Sequence, residues 1–513
     1  MAGSVTAEIQ GNVLYAYGDD FRYARYVLLR ITHRAEATAV LRRWLEHISF
    51  GRRPWDRSTA VPSLSNGGPP PPASAIDRPH VNVALTFRGL KALGVPDDIL
   101  YAFPVEFREG ALARSRDNGD IAASASEHWV DHLGTGDLLL VVHARDEADR
   151  DRTVNQLLAG TTGRLTVLHD LPVARGRPRE RLTTAGGNSG APPGVGCNST
   201  IAREHFGFAD GCSQPAIEGV NPDPVGEGVY ARVGPRWWRP LRPLELMLED
   251  LGLKAVRKRW RLIRAGEFIL GYENEDGSLP QGPPAPLGPN GTFMVYRLMS
   301  QDVSGFHDHV QAEAERLRFD PELLRAKIVG RWSDGTPITL SPEREDPLIA
   351  DNRRRANDFL YREERPGIPG DADGYACPFG AHVRRVNPRD ALPGGGERTM
   401  RHRIIRRGMP YGTRGSDEEC GLAFVCYSAS ISEGFEFIQR SWCNSGAELG
   451  LVGEQDPLLQ QGEPGKLTGM VIPASGNETV VMNPPPKPFV TVRGCEYLFV
   501  PSRTACEWLM SLP

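Results

Sequence analysis

Apolar residues in the first half of the chain fall into short runs that predict β-strands. These runs lie at 23–32, 81–87 and 137–144. Between and after them, apolar positions recur with a helical period over 35–48 and 147–160. Because helices precede and follow strands without strict alternation, the pattern favours an antiparallel sheet that carries its helices on one face.

The second half repeats this succession of strand-like and helix-like segments. Predicted strands lie at 291–299, 421–428 and 495–501, and predicted helices at 307–319 and 431–442. Two similar α+β halves are the simplest architecture for such a chain, and no short repeat indicates a solenoid. We therefore expect an N-terminal half over residues 1–220 and a C-terminal half over residues 291–513.

A basic segment rich in Pro and Gly, residues 221–290, connects the two halves. It contains GPRWWRPLRP (234–243) and KAVRKRWRLIR (254–264), in which Arg and Trp are interleaved as in some nucleic-acid or membrane-surface binders. The alternative, which we favour, is an insertion whose basic side chains stay solvated while the tryptophans pack inward. A Pro-rich loop at 67–75 is expected to be irregular.

Composition is typical of a globular protein with more than one core. The chain has 513 residues, of which 40% are hydrophobic and 24% charged. A net charge of −4 gives no overall drive toward nucleic acid or an anionic membrane. No window approaches the roughly 20 apolar residues of a membrane span, and the start, MAGSVTAEIQ, lacks a signal-peptide pattern. These features predict a cytoplasmic protein without membrane or nucleic-acid partners.

Several common chemistries find little support. Eight cysteines without a CxxC pair argue against a disulfide framework or a structural zinc site. His307 and His309 are two residues apart in a helical context, where they do not share a face. GGNSGAP (186–192) is not a GxSxG motif, and neither a Walker loop nor a GxGxxG follows a strand.

A glycine-rich stretch, FGFADGCSQPAIEG (206–219), presents one carboxylate in a tight loop. Gly207 and Gly211 flank Asp210, and Pro215 follows, so this segment cannot lie inside a regular helix or strand. An Asp in such a loop often bonds its own backbone. The loop alone therefore leaves both a turn residue and a catalytic carboxylate open.

A second stretch, ACPFGAHVRRVNPRD (376–390), places His382 just before several basic residues. These are Arg384, Arg385 and Arg389. A neutral imidazole is a good iron ligand, and guanidinium groups suit carboxylates such as haem propionates. A surface histidine beside a basic loop would show the same pattern, so this stretch alone also leaves two interpretations.

Three motifs in order make the chain resemble the dye-decolourising peroxidase family. They are GFADG (207–211) for its GxxDG signature, CPFGAH (377–382) with NPR (387–389) for its proximal block, and IIRRGMPYG (404–412) for its distal block. Supporting stretches occur at 9–14, 86–95, 265–272, 330–337 and 421–427. The family's fold implies an α+β protein of two ferredoxin-like halves, antiparallel sheets with peripheral helices, with haem between them.

The resemblance implies a role for each matching residue. His382 would be the proximal iron ligand of one haem b, and Asp456, in EQDPLL (454–459), would accept a hydrogen bond from it. Asp210 and Arg406 would be the catalytic residues that face the peroxide. The other residues expected to bind the cofactor are Asn387, Arg389, Leu422 and Phe424.

Such an enzyme would use hydrogen peroxide to oxidise dyes, phenolics and other organic reductants in one-electron steps. Asp210 would move a proton between the peroxide oxygens, and Arg406 would stabilise charge on the leaving oxygen. Because an aspartate base stays ionised where histidine is protonated, we expect an acid-shifted activity profile. Two alternatives remain: a haem-handling, iron-releasing protein with the same His382, and a partner- or nucleic-acid-binding module built on residues 221–290.

Overall fold

A computed structural model describes most of the chain. The described residues are 6–17, 21–51, 78–175, 203–220, 229–231, 259–352, 355–362, 370–393, 396–413, 419–474 and 478–512. The Pro-rich loop 67–75, the stretch 186–192 and the basic stretch 234–243 lie outside these residues, as do residues 254–258 of the second basic stretch. The predicted boundaries of the two halves and of the connecting segment therefore stay predictions.

The strands of the described residues follow the two-half pattern of the sequence. They are Tyr23–Ile31 (β1), His80–Leu85 (β2), Leu138–Ala144 (β3), Leu165–Ala174 (β4), Val229–Ala231 (β5), Arg259–Arg261 (β6), Thr292–Gln301 (β7), Ile405–Arg406 (β8), Met409–Tyr411 (β9), Gly421–Ser428 (β10), Met470–Pro473 (β11), Thr479–Met482 (β12) and Val490–Val500 (β13). β5 pairs with β6, and β11 pairs with β12, each as a separate two-stranded antiparallel ribbon.

The other strands form one antiparallel sheet in the order β4-β1-β3-β2-β13-β7-β10-β8, with β9 also paired to β10. Within each half the first strand lies between the fourth and the third, and the second strand lies outermost beside the third. This is the order of a ferredoxin-like βαββαβ unit. A backbone pairing between Phe499 and Leu85 joins the halves edge to edge. The two expected sheets are thus continuous with each other.

Helices connect the strands of each half. They are Gly11–Leu14 (α1), Arg34–Trp44 (α2), Phe87–Ala92 (α3), Asp97–Tyr101 (α4), Val105–Ala113 (α5), Glu147–Leu158 (α6), Val303–Leu317 (α7), Pro321–Val329 (α8), Pro347–Ala350 (α9), His382–Val386 (α10), Gly396–Met400 (α11) and Arg503–Ser511 (α12). Ser432–Glu436 and Ile438–Ser445 are π-helical. No helix in these described stretches is long and apolar enough to cross a bilayer.

Local sequence explains where several helices begin. The Asp146 carboxylate accepts a hydrogen bond from the Asp149 N–H and caps α6, and the Ser502 hydroxyl caps α12 in the same way. The helix predicted at 307–319 begins earlier, at Val303, because Asp302 accepts from the Gly305 N–H. The helix predicted at 431–442 forms, but with π-helical hydrogen bonding.

The sheet has a helix-covered face and a loop-covered face. On the first face, α2, α6 and α12 pack on alternate residues of β1, β2 and β3. On the second face, Phe268 and Ile269 belong to the same buried apolar cluster as residues of β1 and β10. Both residues are buried although they belong to the predicted connecting segment. The helix-covered face continues past the packed helices into the C-terminal half, where it borders a cavity.

Candidate functional site

A cavity of about 270 Å³ lies against the C-terminal half of the sheet. Arg297 and Met299 of β7 and Leu422 and Phe424 of β10 contribute one wall, because alternate residues of a strand face the same side. The other walls come from segments that are distant in sequence, namely 204–213, 382–387, 402–406, 435–443 and 458–459. The cavity therefore brings together all three motifs of the sequence.

His382 lines the cavity as the first residue of α10. Its Nδ1 lies 2.9 Å from Asp456 Oδ2. Because an ionised carboxylate only accepts, Nδ1 carries the proton and donates. This leaves Nε2 as the ring nitrogen with a lone pair that can bind a metal.

Asp456 is fully buried behind His382 and is held by the backbone. Its Oδ1 accepts from the N–H groups of Leu458 and Leu459 at 2.9 and 3.0 Å. Burial by itself would raise the pKa of the Asp456 carboxyl, but the electrostatic interaction and the hydrogen bond with His382 outweigh burial and hold the pKa below its ordinary value. The carboxylate is therefore ionised and able to keep the Nδ1 proton in place.

Asp210 lines the cavity from the glycine-rich loop. Gly207 and Gly211 have φ values of +100° and +78°, a backbone region that favours glycine. The Asp210 Oδ1 accepts from the Gly211 N–H at 2.6 Å, and the Ala209 N–H donates to the Ser333 carbonyl at 3.0 Å. The loop is thus fixed both by its own turns and by the neighbouring 330–337 segment.

Arg406 lines the same cavity from the end of β8. Its Nη2 donates to the Ser213 carbonyl oxygen at 3.1 Å. Because Ser213 follows Asp210 in the same loop, this hydrogen bond holds the guanidinium group beside the loop that carries the carboxylate. A carboxylate and a cation therefore share one cavity with His382.

The remaining residues predicted to bind a cofactor divide into two groups. Asn387, Leu422 and Phe424 line the cavity. Arg389 does not: its Nη1 donates to the carbonyls of Asn357 and Phe359 at 3.0 and 2.9 Å, and its guanidinium lies 3.9 Å from the Phe359 ring centroid. Arg389 thus stabilises a neighbouring segment, and the structure does not bring it to the cavity.

Arg403 is a cavity residue that the sequence reasoning missed. Its Nη1 donates to Asn387 Oδ1 at 3.2 Å. Burial, and to a smaller degree the charge of Arg406, lower the pKa of the Arg403 guanidinium to about 9. The sequence gives no signal that separates Arg403 from its neighbours, because RHRIIRR (401–407) places two isoleucines among five basic residues without a strand-like alternation.

The residues present fit a haem group. A buried cation is best compensated by an anion, and a haem propionate would supply one to Arg403 and Asn387. An apolar macrocycle would contact the hydrophobic walls, which are formed by Leu422, Phe424, Phe435, Ile438, Leu458 and Leu459. His382 with its carboxylate partner would bind the iron on one side.

Comparisons with known proteins agree with this site. The family description "Dyp-type peroxidase, C-terminal" matches residues 342–458. The chain is 31% identical to a dye-decolorizing peroxidase of Mycena epipterygia over 456 residues, which cover 82% of this chain and 74% of the relative. It is 30% identical to a dye-decolorizing peroxidase of Mycetinis scorodonius over 84% of this chain and 76% of the relative.

The fold is shared with solved structures as well. The crystal structure of a fungal DyP-type peroxidase from Auricularia auricula-judae matches with a TM-score of 0.71 over 99% of each chain, at 22% identity. The relatives named dye-decolorizing peroxidase, at 31% and 30% identity, favour a peroxidase over the alternatives of an iron-releasing protein or a binding module. Because the identity to curated relatives extends over most of their length, this chain belongs to the dye-decolourising (DyP-type) family of haem peroxidases.

Proposed function

We propose that this protein is a haem b peroxidase that uses hydrogen peroxide to oxidise dyes, phenols and similar organic reductants by one-electron steps. The observation that carries the proposal is the meeting of His382, Asp210 and Arg406 in one cavity, with Asp456 behind the histidine. Relatives named dye-decolorizing peroxidase support the reductant class, as does a family structure in complex with 2,6-dimethoxyphenol.

On the proximal side, His382 would hold haem through Nε2, because Asp456 keeps the proton on Nδ1. The bound haem supplies the iron that takes up peroxide and stores its oxidising equivalents. The ionised Asp456 accepts a hydrogen bond from Nδ1, which makes the imidazole a stronger electron donor. Arg403 and Asn387 would anchor a propionate at the edge of the group.

On the distal side, Asp210 would take a proton from one peroxide oxygen and deliver it to the other. Arg406 would stabilise the negative charge that develops on the leaving oxygen. The hydrogen bond to the Ser213 carbonyl fixes the guanidinium group before the substrate arrives, so little reorganisation is needed during the reaction. The walls are mostly apolar, and such a low-dielectric lining would strengthen the electrostatic contribution of both groups.

The test is spectroscopic and kinetic. Protein loaded with haem should show a Soret band that His382→Ala shifts or abolishes. Asp210→Asn and Arg406→Leu should retain that band, but the rate of their reaction with hydrogen peroxide, measured by stopped flow, should fall by a factor of about 100 or more. Asp308→Asn, an exposed carboxylate on α7, is the matched control and should react like the parent protein.

Failure to bind haem, or parent-like peroxide rates in both distal variants, would overturn the proposal. A pyridine haemochromogen assay identifies the bound group as haem b or as another haem. A cytoplasmic location, expected from the sequence, stays a prediction that fractionation of the source cells would test.

A further inference from the structure

Arg385 is a fully buried arginine, 0% exposed, that lies one helical turn after His382 in α10. Its guanidinium group donates to backbone and side-chain oxygens of three separate segments. Nε donates to the Gly380 carbonyl at 3.2 Å and Nη1 to the Trp442 carbonyl at 2.9 Å. Nη2 donates to the carbonyl and to Oε1 of Glu454 at 2.9 and 3.0 Å.

These three segments are the ones that hold the proximal pair. Gly380 lies two residues before His382, and Glu454 lies two residues before Asp456. Trp442 precedes Cys443, whose carbonyl accepts from the Asp456 N–H at 2.7 Å. A single guanidinium group therefore connects the backbone on both sides of the His382–Asp456 hydrogen bond.

The residues around the Arg385 guanidinium group and its acceptors are closely packed. A Cβ atom on Gly380 would overlap Glu454 Oε1, and one on Gly446 would lie 2.7 Å from Arg385 Nη1. Glu454 is fixed in turn, because its Oε2 accepts from the Val471 N–H at the start of the β11–β12 ribbon at 3.1 Å. The position of Arg385 is thus set from several directions, and so is the spacing of the segments that it joins.

We propose that Arg385 is a positioning residue that sets the geometry of the His382–Asp456 hydrogen bond and thereby the electron donation of the imidazole to a bound haem. The inference rests on the proposed function. Without Arg385, the three segments would lose their common donor, and only the backbone contacts of Asp456 itself would fix the carboxylate, so its hydrogen bond to Nδ1 would be longer or more variable. A weaker hydrogen bond leaves the imidazole a weaker donor, which favours ferrous over ferric iron.

The experiment is a double-mutant cycle with the reduction potential as readout. The Fe(III)/Fe(II) midpoint potential of the haem-loaded protein is measured for the parent, Arg385→Gln, Asp456→Asn and the double variant. We expect a positive shift in each single variant. We expect little further shift when Arg385→Gln is added to Asp456→Asn, because both changes act through the same hydrogen bond.

Arg384→Gln is the matched control, since Arg384 is also a buried arginine of α10 but donates to Asp371 and to the Cys377 carbonyl. Whatever its effect on folding, the shift that it causes should be the same with and without Asp456→Asn. Arg385→Lys keeps a charge but not the planar set of donors, and it should give a smaller positive shift than Arg385→Gln. It also replaces Arg385→Gln in the cycle if the latter does not fold.

Two results would overturn the role of Arg385: an unshifted potential in the folded variant, or equal shifts in the parent and Asp456→Asn backgrounds. Failure of the proposed function is distinguishable, because it would show as absent haem binding in the parent or an unchanged Soret band in His382→Ala. The rate of haem transfer to apomyoglobin gives a second readout. Arg385→Gln should raise this rate in the parent protein. The factor by which it raises the rate should be smaller when Asp456→Asn is already present.

Discussion

The side-chain amide of Gln214 hydrogen-bonds the backbone of Arg406 in both directions. Its Nε2 donates to the Arg406 carbonyl at 3.0 Å, and its Oε1 accepts from the Arg406 N–H at 3.1 Å. The Arg406 side chain adds a third contact, to the Ser213 carbonyl. The loop that carries Asp210 is thereby fixed to the strand that carries Arg406, so direct contacts set the distance between these two residues.

Replacing Gln214 with leucine tests this fixation. Leucine is similar in size to glutamine but makes neither hydrogen bond. In Gln214→Leu, the side chain therefore no longer joins the loop of Asp210 to the backbone of Arg406. We expect the rate of reaction with peroxide to fall about 10-fold or more, because small displacements of catalytic groups are costly. The free energy of unfolding should fall by about 1–3 kcal/mol. Stopped-flow absorption and urea denaturation measure the two effects.

The control for this change is Gln311→Leu. Gln311 is exposed on α7, where its Nε2 donates to Glu315 Oε1 at 2.9 Å, and its replacement should alter neither quantity by much. Haem content should match the parent in both variants, since neither residue contacts His382. A parent-like peroxide rate in fully loaded Gln214→Leu would contradict the coupling.

Strands with continuous apolar runs could be predicted from the sequence, whereas the edge strand could not. The runs at 137–144 and 421–428 correspond closely to β3 and β10, which are buried between neighbours. β4, Leu165–Ala174, escaped prediction because it contains Asp170 and Pro172 and half of its residues are exposed. Pro is tolerated there since β4 lies at the edge of the sheet. That position is a property of the whole fold and not of the segment.

The site shows the same division between local and long-range information. Asp210, His382 and Arg406 were predicted because each belongs to a motif, and the structure brings all three to one cavity. Arg403 and Arg389 could not be told apart from sequence, since each is an arginine in a basic stretch. Whether an arginine reaches the cavity or a backbone carbonyl depends on packing between segments that are far apart in the chain.

A buried carboxyl in β13 makes stability depend on pH. The Glu496 Oε1 accepts from the N–H groups of Gly134 and Gly136 at 2.7 and 2.9 Å. Burial outweighs these hydrogen bonds and raises the pKa of Glu496 from 4.5 to about 8. Because the folded state binds this proton more tightly, the group's contribution to stability falls as pH rises from about 4.5 and is fully lost above about 8.

Glu496→Gln should remove this dependence. The amide oxygen can still accept from both N–H groups, but the side chain no longer ionises. Between about pH 5 and about pH 8.5, the variant should lose less unfolding free energy than the parent, by about 1 kcal/mol or more. Urea denaturation at the two pH values measures the difference. Glu463→Gln, an exposed carboxylate paired with Lys466, should follow the parent, and a parallel loss in Glu496→Gln would contradict the assignment.

Arg403 should oppose folding of the haem-free protein and favour binding of haem. Burial and the Arg406 charge lower the pKa of the Arg403 guanidinium to about 9, well below its ordinary value. Below about pH 9 the charged guanidinium therefore destabilises the haem-free fold, and this cost diminishes as pH rises through 9. A haem propionate beside Arg403 would turn this cost into a favourable contribution, because a charge-assisted hydrogen bond compensates the buried cation.

Arg403→Met should therefore have effects of opposite sign in the two forms. At pH 7 the haem-free variant should be at least as stable as the parent in urea, while haem transfer to apomyoglobin should become about 10-fold faster or more. Arg398→Met removes an exposed arginine that pairs with Glu448 at 2.6 Å, and it should change neither measurement appreciably. If Arg403→Met retained haem as tightly as the parent, the propionate would have to be held by other residues. If it also destabilised the haem-free protein, the guanidinium would be part of the fold and not of the cofactor site.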